Sequence, residues 1–182
     1  QVLEGAQSDT VSMALYLEAV REASGEDAAW DAAWSWAEDH PNYPVSAFGL
    51  AYGAQWSERE GRKKRVAAKV TETFDYQMIQ AQFDANMHAA RARTLLVMGD
   101  IAGASAAAAT AMGLNATAPA ALLASSEVAR AEGKGPKAKK QGERAVQIAA
   151  AHPGYQLLKT SLDSRRKVIQ RAPEAPEGDK PN

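Results

Sequence analysis

Apolar side chains recur every three to four residues along most of the chain, which is the spacing of one face of an α-helix. Near the N-terminus, Met13 and Leu17 show this spacing behind Asp9, a residue type that often caps a helix start. Stretches that contain Gly, Pro or Asp interrupt the pattern, and Asp27 is expected to cap the second helix. We expect nine helices, at about residues 9–22, 27–39, 45–60, 62–74, 76–98, 101–112, 119–131, 137–151 and 156–170.

One short motif follows two of these predicted helices. The stretch AEDHPNY at residues 37–43 recurs as AAAHPGY at residues 149–155, so that Ala, His, Pro and Tyr repeat 112 positions apart. Pro cannot continue a helix and disfavours helical geometry in the residue before it. The motif therefore predicts a corner after a helix pair. Its spacing corresponds to three pairs of about 37 residues, which indicates an α-solenoid of repeated helix pairs.

Small residues at regular places in these pairs resemble the tetratricopeptide repeat family, whose unit has about 34 residues. The resemblance covers about residues 8–155 and is weakest in the second pair. It implies an all-α fold, a right-handed α-solenoid of about four helix-turn-helix hairpins plus a C-terminal capping helix. The third pair carries the family's pattern most clearly, at Ala92, Leu95, Gly99, Asp100, Ala104, Ala108 and Ala111.

The same pattern divides the chain into three parts. Residues 1–7 are expected to be a loose N-terminus, residues 8–170 to form the repeat domain, and residues 171–182 to be disordered. The last part is rich in Pro and charge, and it lacks the apolar side chains that could order it. In the final helix, at about residues 156–170, Leu157, Leu158 and Leu162 can face the fourth hairpin as a cap.

The resemblance also predicts a binding site, because the first helices of the family's pairs line a concave groove that holds a peptide or protein. Phe48, Tyr52 and Trp56 recur at i, i+4 and i+8, so they share one helix face. Two interpretations stay open for these rings: a wall of the groove, or packing against a neighbouring repeat. The groove residues that the resemblance implies are Phe48, Tyr52, Gln55, Trp56, Arg93, Glu127 and Arg130.

Charge supplies an alternative function. Residues 1–43 hold nine acidic side chains and one Arg, whereas residues 59–171 hold nineteen Lys or Arg and nine Asp or Glu. The basic clusters at residues 59–69 and 134–144 could form a patch for nucleic acid or an anionic membrane surface. Solvated turns and helix faces explain the same clusters, and we expect nucleic-acid binding less than protein binding. No run of residues is apolar enough to span a membrane, so a membrane could be reached only through an anchor outside this chain.

Catalytic chemistry has little support in the sequence. There is no Cys, which excludes disulfides and thiolate zinc sites, and no phosphate-binding loop or nucleophile elbow occurs. His40 and His152 fall at equivalent corners and are expected to lie far apart, and His88 is isolated. We therefore predict a scaffold protein rather than an enzyme, with no cofactor, no metal and no small-molecule substrate, although an enzyme with an unrecognised site stays a remote alternative.

Two questions stay open at this point. Trp30, Trp34 and Trp36 lie on one predicted helix and can form either core or a docking surface. The compartment is also open: the Ala-rich composition suggests a bacterium, and a chain that starts with Gln1 suggests a trimmed product, which slightly favours the periplasm or cell envelope over the cytoplasm.

Overall fold

The chain folds as a set of α-helices. A computed structural model describes residues 9–56 and 60–151, and these two stretches contain eight helices and no strand. The all-α prediction is therefore confirmed. The helices are α1 (Thr10–Ser24), α2 (Glu26–Asp39), α3 (Pro44–Ala54), α4 (Glu60–Gln80), α5 (Ala85–Val97), α6 (Ile101–Leu114), α7 (Pro119–Ala131) and α8 (Gly135–Ala150).

The helices begin at regular intervals along the chain. α1 begins at Thr10 and α3 at Pro44, so the two starts are 34 positions apart, and the same interval separates α2 from α4, α5 from α7, and α6 from α8. The starts of α3 and α5, at Pro44 and Ala85, are 41 positions apart instead. The difference lies in α4, which has 21 residues, whereas α2 and α6 have 14 each. α4 is thus about two helical turns longer than its counterparts.

Several predicted boundaries are wrong. The third helix was expected to reach about residue 60 and the fourth to begin at 62, but α3 ends at Ala54 and α4 begins at Glu60. The sequence pattern ended a helix near Phe74 and began the next at Tyr76, but α4 runs through both residues. No Gly or Pro between residues 62 and 84 could interrupt it. The break comes at Asp84, whose carboxylate accepts a hydrogen bond from the Asn86 amide at 2.8 Å and caps α5.

The start of α2 also differs from the expected one. Gly25, with a φ of 91°, takes the N-cap position, and Asp27 lies in the first turn. Asp27 therefore stands where an acidic side chain favours the positive end of the helix dipole, without being the cap. Asp9 caps α1 as predicted, the Asp100 carboxylate accepts a hydrogen bond from a first-turn amide of α6, and Pro119 is the first residue of α7.

Each odd-numbered helix packs on the next odd-numbered helix. α1 lies against α3, α3 against α5, and α5 against α7. Neighbouring helices in the chain pack as well: α1 on α2, α2 on α3, α3 on α4, α5 on α6 and α6 on α7. Side chains of α7 reach α8 as well, because the Ser126 hydroxyl donates to the Ala138 carbonyl oxygen at 2.7 Å.

The corner motif is well defined at its first copy. His40 follows α2, its ring stacks on Trp36 with 4.0 Å between the centroids, and its backbone amide donates to the Trp36 carbonyl oxygen at 3.0 Å. Tyr43 is then the N-cap of α3 and Pro44 its first residue. His40 thus closes one helix just before the next begins, as the sequence predicts. The second copy, with His152, lies outside the described residues.

The chain divides into two compact units, Gln1–Ala145 and Val146–Asn182. Of the second unit the structure describes residues 146–151, which include the end of α8. The predicted N-terminal segment, capping helix and C-terminal tail fall outside the described residues, so the predicted domain bounds stay predictions. Among the described helices, none combines the length and the apolar character that a membrane span requires.

Candidate functional site

Five of the residues that the sequence singles out come together across three helices. Trp56 follows α3, Tyr52 and Phe48 lie on α3, Arg93 on α5 and Glu127 on α7. Each side chain contacts the next in that order, as rings, a cation over a ring, or an ion pair. These five residues of the predicted set are thus contiguous in space, along α3, α5 and α7, which pack on one another.

The three rings of this line differ in exposure. Phe48 and Tyr52 stack with 5.4 Å between their centroids, and Trp56 meets Tyr52 edge-on at 5.2 Å. Phe48 is only 1% exposed and packs in a core cluster with Met13 and Leu17 of α1. Tyr52 and Trp56 are half-buried. The line therefore starts in the core, and only its outer two rings can meet a partner.

α1 supplies charged side chains to the same line. The Tyr52 hydroxyl donates to Glu18 Oε1 at 3.0 Å, and Glu18 Oε2 accepts from Arg21 Nη2 at 2.8 Å. The Arg21 guanidinium in turn lies over the Trp56 ring, 5.1 Å from its centroid. Burial of the phenol, with the Glu18 hydrogen bond, raises the pKa of Tyr52. The hydrogen bond and the charge of Glu18 raise the pKa of Arg21.

Arg93 is the best-buried charge of the site. It binds Glu127 through two hydrogen bonds, at 2.7 Å from Nε and 3.1 Å from Nη2, a fork geometry that suits a guanidinium. Its Nη1 donates to the Thr10 hydroxyl at the start of α1, and its Cζ lies 4.9 Å from the centroid of the Phe48 ring. The Arg93 side chain is 12% exposed. Arg93 thus ties α1, α3, α5 and α7 together, and its charge is already paired.

The remaining two predicted residues are exposed. Gln55 lies beside the last turn of α3, and Arg130 lies one turn after Glu127 on α7. A spacing of three residues places Glu127 and Arg130 on the same side of α7. Arg130, rather than Arg93, is therefore the predicted arginine that can reach a partner's carboxylate.

Sequence reasoning missed Thr10, Glu18 and Arg21. Their partners are 83, 34 and 35 positions away at Arg93, Tyr52 and Trp56, beyond the reach of a single-helix pattern. One signal was available, because Glu18 and Tyr52 are 34 positions apart, as are Arg93 and Glu127. That number is the interval between helix starts, so equivalent positions of successive helix pairs contact each other.

The site combines paired polar side chains with partly exposed rings. Hydrogen bonds join residues of α1, α3, α5 and α7, and the exposed parts are the ring faces, Gln55 and the Arg130 guanidinium. In the described residues there is no group of three or more His, Cys, Asp or Glu that could hold a metal ion. His88 is buried and its Nε2 lies 2.9 Å from the Gln82 carbonyl oxygen, which makes it a core residue that holds the turn before α5.

The Trp cluster separates into two environments. Trp30 is 7% exposed and stacks on Trp34 at 5.6 Å, beside a depression of about 570 Å³ between α2 and α4. Trp34 is half-buried, and its indole nitrogen donates to Glu38 at 2.8 Å. Trp36 faces the other way, onto His40. Trp30 is thus core, while Trp34 presents part of its ring to the surface.

Comparison with known proteins gives this chain no relative. No family profile, no curated protein and no solved structure matches it. The resemblance to tetratricopeptide repeats therefore rests on the residues and on the helix spacing alone.

Proposed function

We propose that the chain is a binding module of the tetratricopeptide-like kind, a right-handed solenoid of four helix pairs that holds a peptide or protein partner. Two features support the solenoid. Helix starts recur at an interval of 34 positions, which matches the length of the family's unit, and helices two positions apart in order pack together. A cell-envelope scaffold in a bacterium is the setting that we propose for it.

The observation that carries this function is the continuous line of side chains across α1, α3, α5 and α7. In a solenoid these helices are the first of each pair, and together they form one face. The line joins Arg21, Trp56, Tyr52, Arg93 and Glu127, with Phe48 between Tyr52 and Arg93. The Arg93–Glu127 ion pair and the hydrogen bonds of Tyr52 to Glu18 and of Arg93 to Thr10 join the four helices, which gives a partner a preorganised surface.

The partner's chemistry follows from what the line leaves exposed. The half-buried rings of Tyr52 and Trp56 accept apolar side chains, and aromatic residues are frequent anchors in protein interfaces. Arg130 adds an exposed cation along the same face of α7. We infer a peptide segment that places an apolar residue on Trp56 and an acidic residue near Arg130.

Selection from a displayed peptide library tests this proposal. Peptides that bind the chain should lose affinity about thirtyfold with Trp56→Ala, since one aromatic anchor contributes on the order of 2 kcal/mol. Arg130→Glu should weaken binding of the acidic peptides through charge repulsion. Lys140→Glu, the same charge change on an exposed residue of α8, should leave affinity unchanged.

Melting curves of each variant accompany the affinities. Arg130 is exposed, so Arg130→Glu should keep the melting temperature even where Trp56→Ala lowers it. Selected peptides that bind both variants as tightly as the parent chain would show that the partner face lies elsewhere. Binding that vanishes for every peptide at moderate salt would instead favour the basic-patch alternative.

A further inference from the structure

The two additional turns of α4 carry a row of exposed apolar side chains. α2 and α6 each end after 14 residues, and α4 continues for seven more, residues 74–80. Ile79 is 76% exposed, Phe83 in the following turn is 79% exposed, and Tyr76 is 43% exposed. Ile79 and Phe83 are the most exposed large apolar side chains of the described residues. We call these three residues the α4 ridge.

The ridge is not needed to hold α4 in place. The opposite side of the helix does that, through the buried side chains of Val70 and Phe74 and through polar contacts with the corner before α3. Thr73 donates to the Pro41 carbonyl oxygen at 3.1 Å, and the Gln77 amide donates to the Asn42 carbonyl oxygen. Single exposed apolar residues are common, whereas exposed apolar residues grouped on one surface mark interaction sites in natural proteins.

The surroundings of the ridge are acidic. Residues 70–90 contain three acidic side chains, Glu72, Asp75 and Asp84, and no Lys or Arg. Asp75 is one turn before Ile79 on the same side of α4, and it is exposed. Glu72 lies on this side too, although Lys69 binds it at 3.0 Å. The carbonyl groups at the end of α4 add a negative partial charge. No basic residue in the last turn of α4 offsets this charge.

We propose that the α4 ridge is a docking surface for a basic amphipathic segment of a partner protein. Such a segment places its apolar face on Ile79 and Phe83 and a Lys or Arg beside Asp75. A second copy of this chain fits less well, since pairing two ridges brings two acidic surroundings together. The surface is separate from the Trp56 face, so the chain contacts partners through two faces.

Two synthetic peptides of about 18 residues provide the probes, one of Leu and Lys and one of Leu and Glu, with identical Leu positions at helical spacing. Fluorescence anisotropy of the labelled peptides measures their affinity for the full chain. The Lys peptide should bind at least about tenfold more tightly than the Glu peptide. The double variant Ile79→Ser/Phe83→Ser should weaken the Lys peptide at least about tenfold.

Matched controls separate the ridge from general attraction to an acidic protein. Val11→Ser/Leu15→Ser changes two exposed apolar residues of α1, and it should keep full affinity for the Lys peptide. Asp75→Lys should weaken that peptide several-fold, whereas Asp39→Lys, at an exposed acid of α2, should not. Melting temperatures should stay nearly the same for the ridge variant and the two Asp variants, because their changed side chains are exposed. Val11 and Leu15 are 38% and 39% exposed, so the affinity of the α1 control is measured well below its melting temperature.

Four outcomes would overturn the proposal. The Lys peptide could fail to bind, it could bind the ridge variant as tightly as the parent chain, or it could lose as much affinity in the α1 control. A concentration-dependent dimer that Ile79→Ser/Phe83→Ser abolishes would also overturn it, by assigning the ridge to a second copy of the chain. Trp56→Ala serves as an independent check, because it tests the other face and should leave Lys-peptide binding unchanged.

Discussion

The first two helix pairs and the next two reach the same helix spacing with different cores. All four Trp residues lie between residues 30 and 56, and the buried clusters of α1–α4 contain Met13, Leu17, Trp30, Phe48 and Phe74. In the cluster formed by α5, α6 and α7, ten of the eleven buried residues are Ala. One half packs large rings between its helices, and the other brings its helices together on methyl groups.

This difference has consequences for what each half can tolerate. Large side chains bury much apolar area each, so the first half depends on a few residues and the loss of one leaves a cavity. An Ala core gains little per residue, and its stability comes from close contact along whole helices. The first half should therefore suffer most from truncation, and the second half most from enlargement.

The largest expected effect is that of Phe48→Ala. Phe48 is 1% exposed, contacts Tyr52 and lies beneath Arg93, so its removal leaves a cavity under the ion pair. We expect a loss of about 3–5 kcal/mol in the free energy of unfolding, measured by urea titration. Phe83→Ala is the same change at a ring that is 79% exposed, and it should be close to neutral. Equal effects of the two variants would mean that the aromatic half does not depend on this ring.

Enlargement in the Ala core comes next. Ala104 of α6 is fully buried, and Leu at this position must displace neighbouring helices. We expect Ala104→Leu to lower the free energy of unfolding by about 1–3 kcal/mol. Ala106→Leu, an exposed position two residues further along the same helix, should change it little. A harmless Ala104→Leu would show that the second half is loosely packed and would remove the contrast between the halves.

Apolar periodicity and its interruptions predicted most of the helices. Several helix starts depend on few neighbours, because the caps Asp9 and Asp100 and the first-turn residues Pro44 and Pro119 act within one or two turns. The length of α4 could not be predicted in this way. Its Phe74 packs inward and its Tyr76 lies half outward, and the apolar pattern changes there while the helix continues.

The sequence predicted which residues belong to the site better than it predicted which of them are exposed. Helical spacing placed Phe48, Tyr52 and Trp56 on one face, and the structure keeps them in contact. The sequence could not show that α1 covers Phe48, because that contact joins residues more than thirty positions apart. It equally left open the pairing of Arg93 with Glu127, which decides that this charge is not available to a partner.

Two glycines provide a smaller test, confined to the second half. Gly99 ends the turn between α5 and α6 with a φ of 85°, a region that side chains with a Cβ disfavour. Gly113 lies inside α6, and a Cβ there would meet open space. We expect Gly99→Ala to destabilise the chain by about 1 kcal/mol and Gly113→Ala to stabilise it by about 0.5–1 kcal/mol, both measured by urea titration. A Gly99→Ala variant as stable as the parent chain, or more stable, would contradict the assigned turn conformation.

The smallest expected effect concerns pH and the hydrogen bond between Glu18 and Tyr52 in the first two helix pairs. Burial and the Glu18 hydrogen bond raise the pKa of Tyr52 above its ordinary value of 10.0. The folded state then holds the phenol proton more tightly than the unfolded state, so this contribution to stability is complete below about pH 10. It is lost as the pH rises further, through the raised pKa of the folded state. Tyr52→Phe removes the titrating group and should flatten the decline in the free energy of unfolding above about pH 10. Tyr76→Phe, at a more exposed tyrosine of α4, serves as the control and should leave that decline unchanged. A parallel decline in the parent chain and in Tyr52→Phe would show that the Glu18–Tyr52 hydrogen bond does not stabilise the folded state. Its remaining role would then be in the proposed binding of a partner.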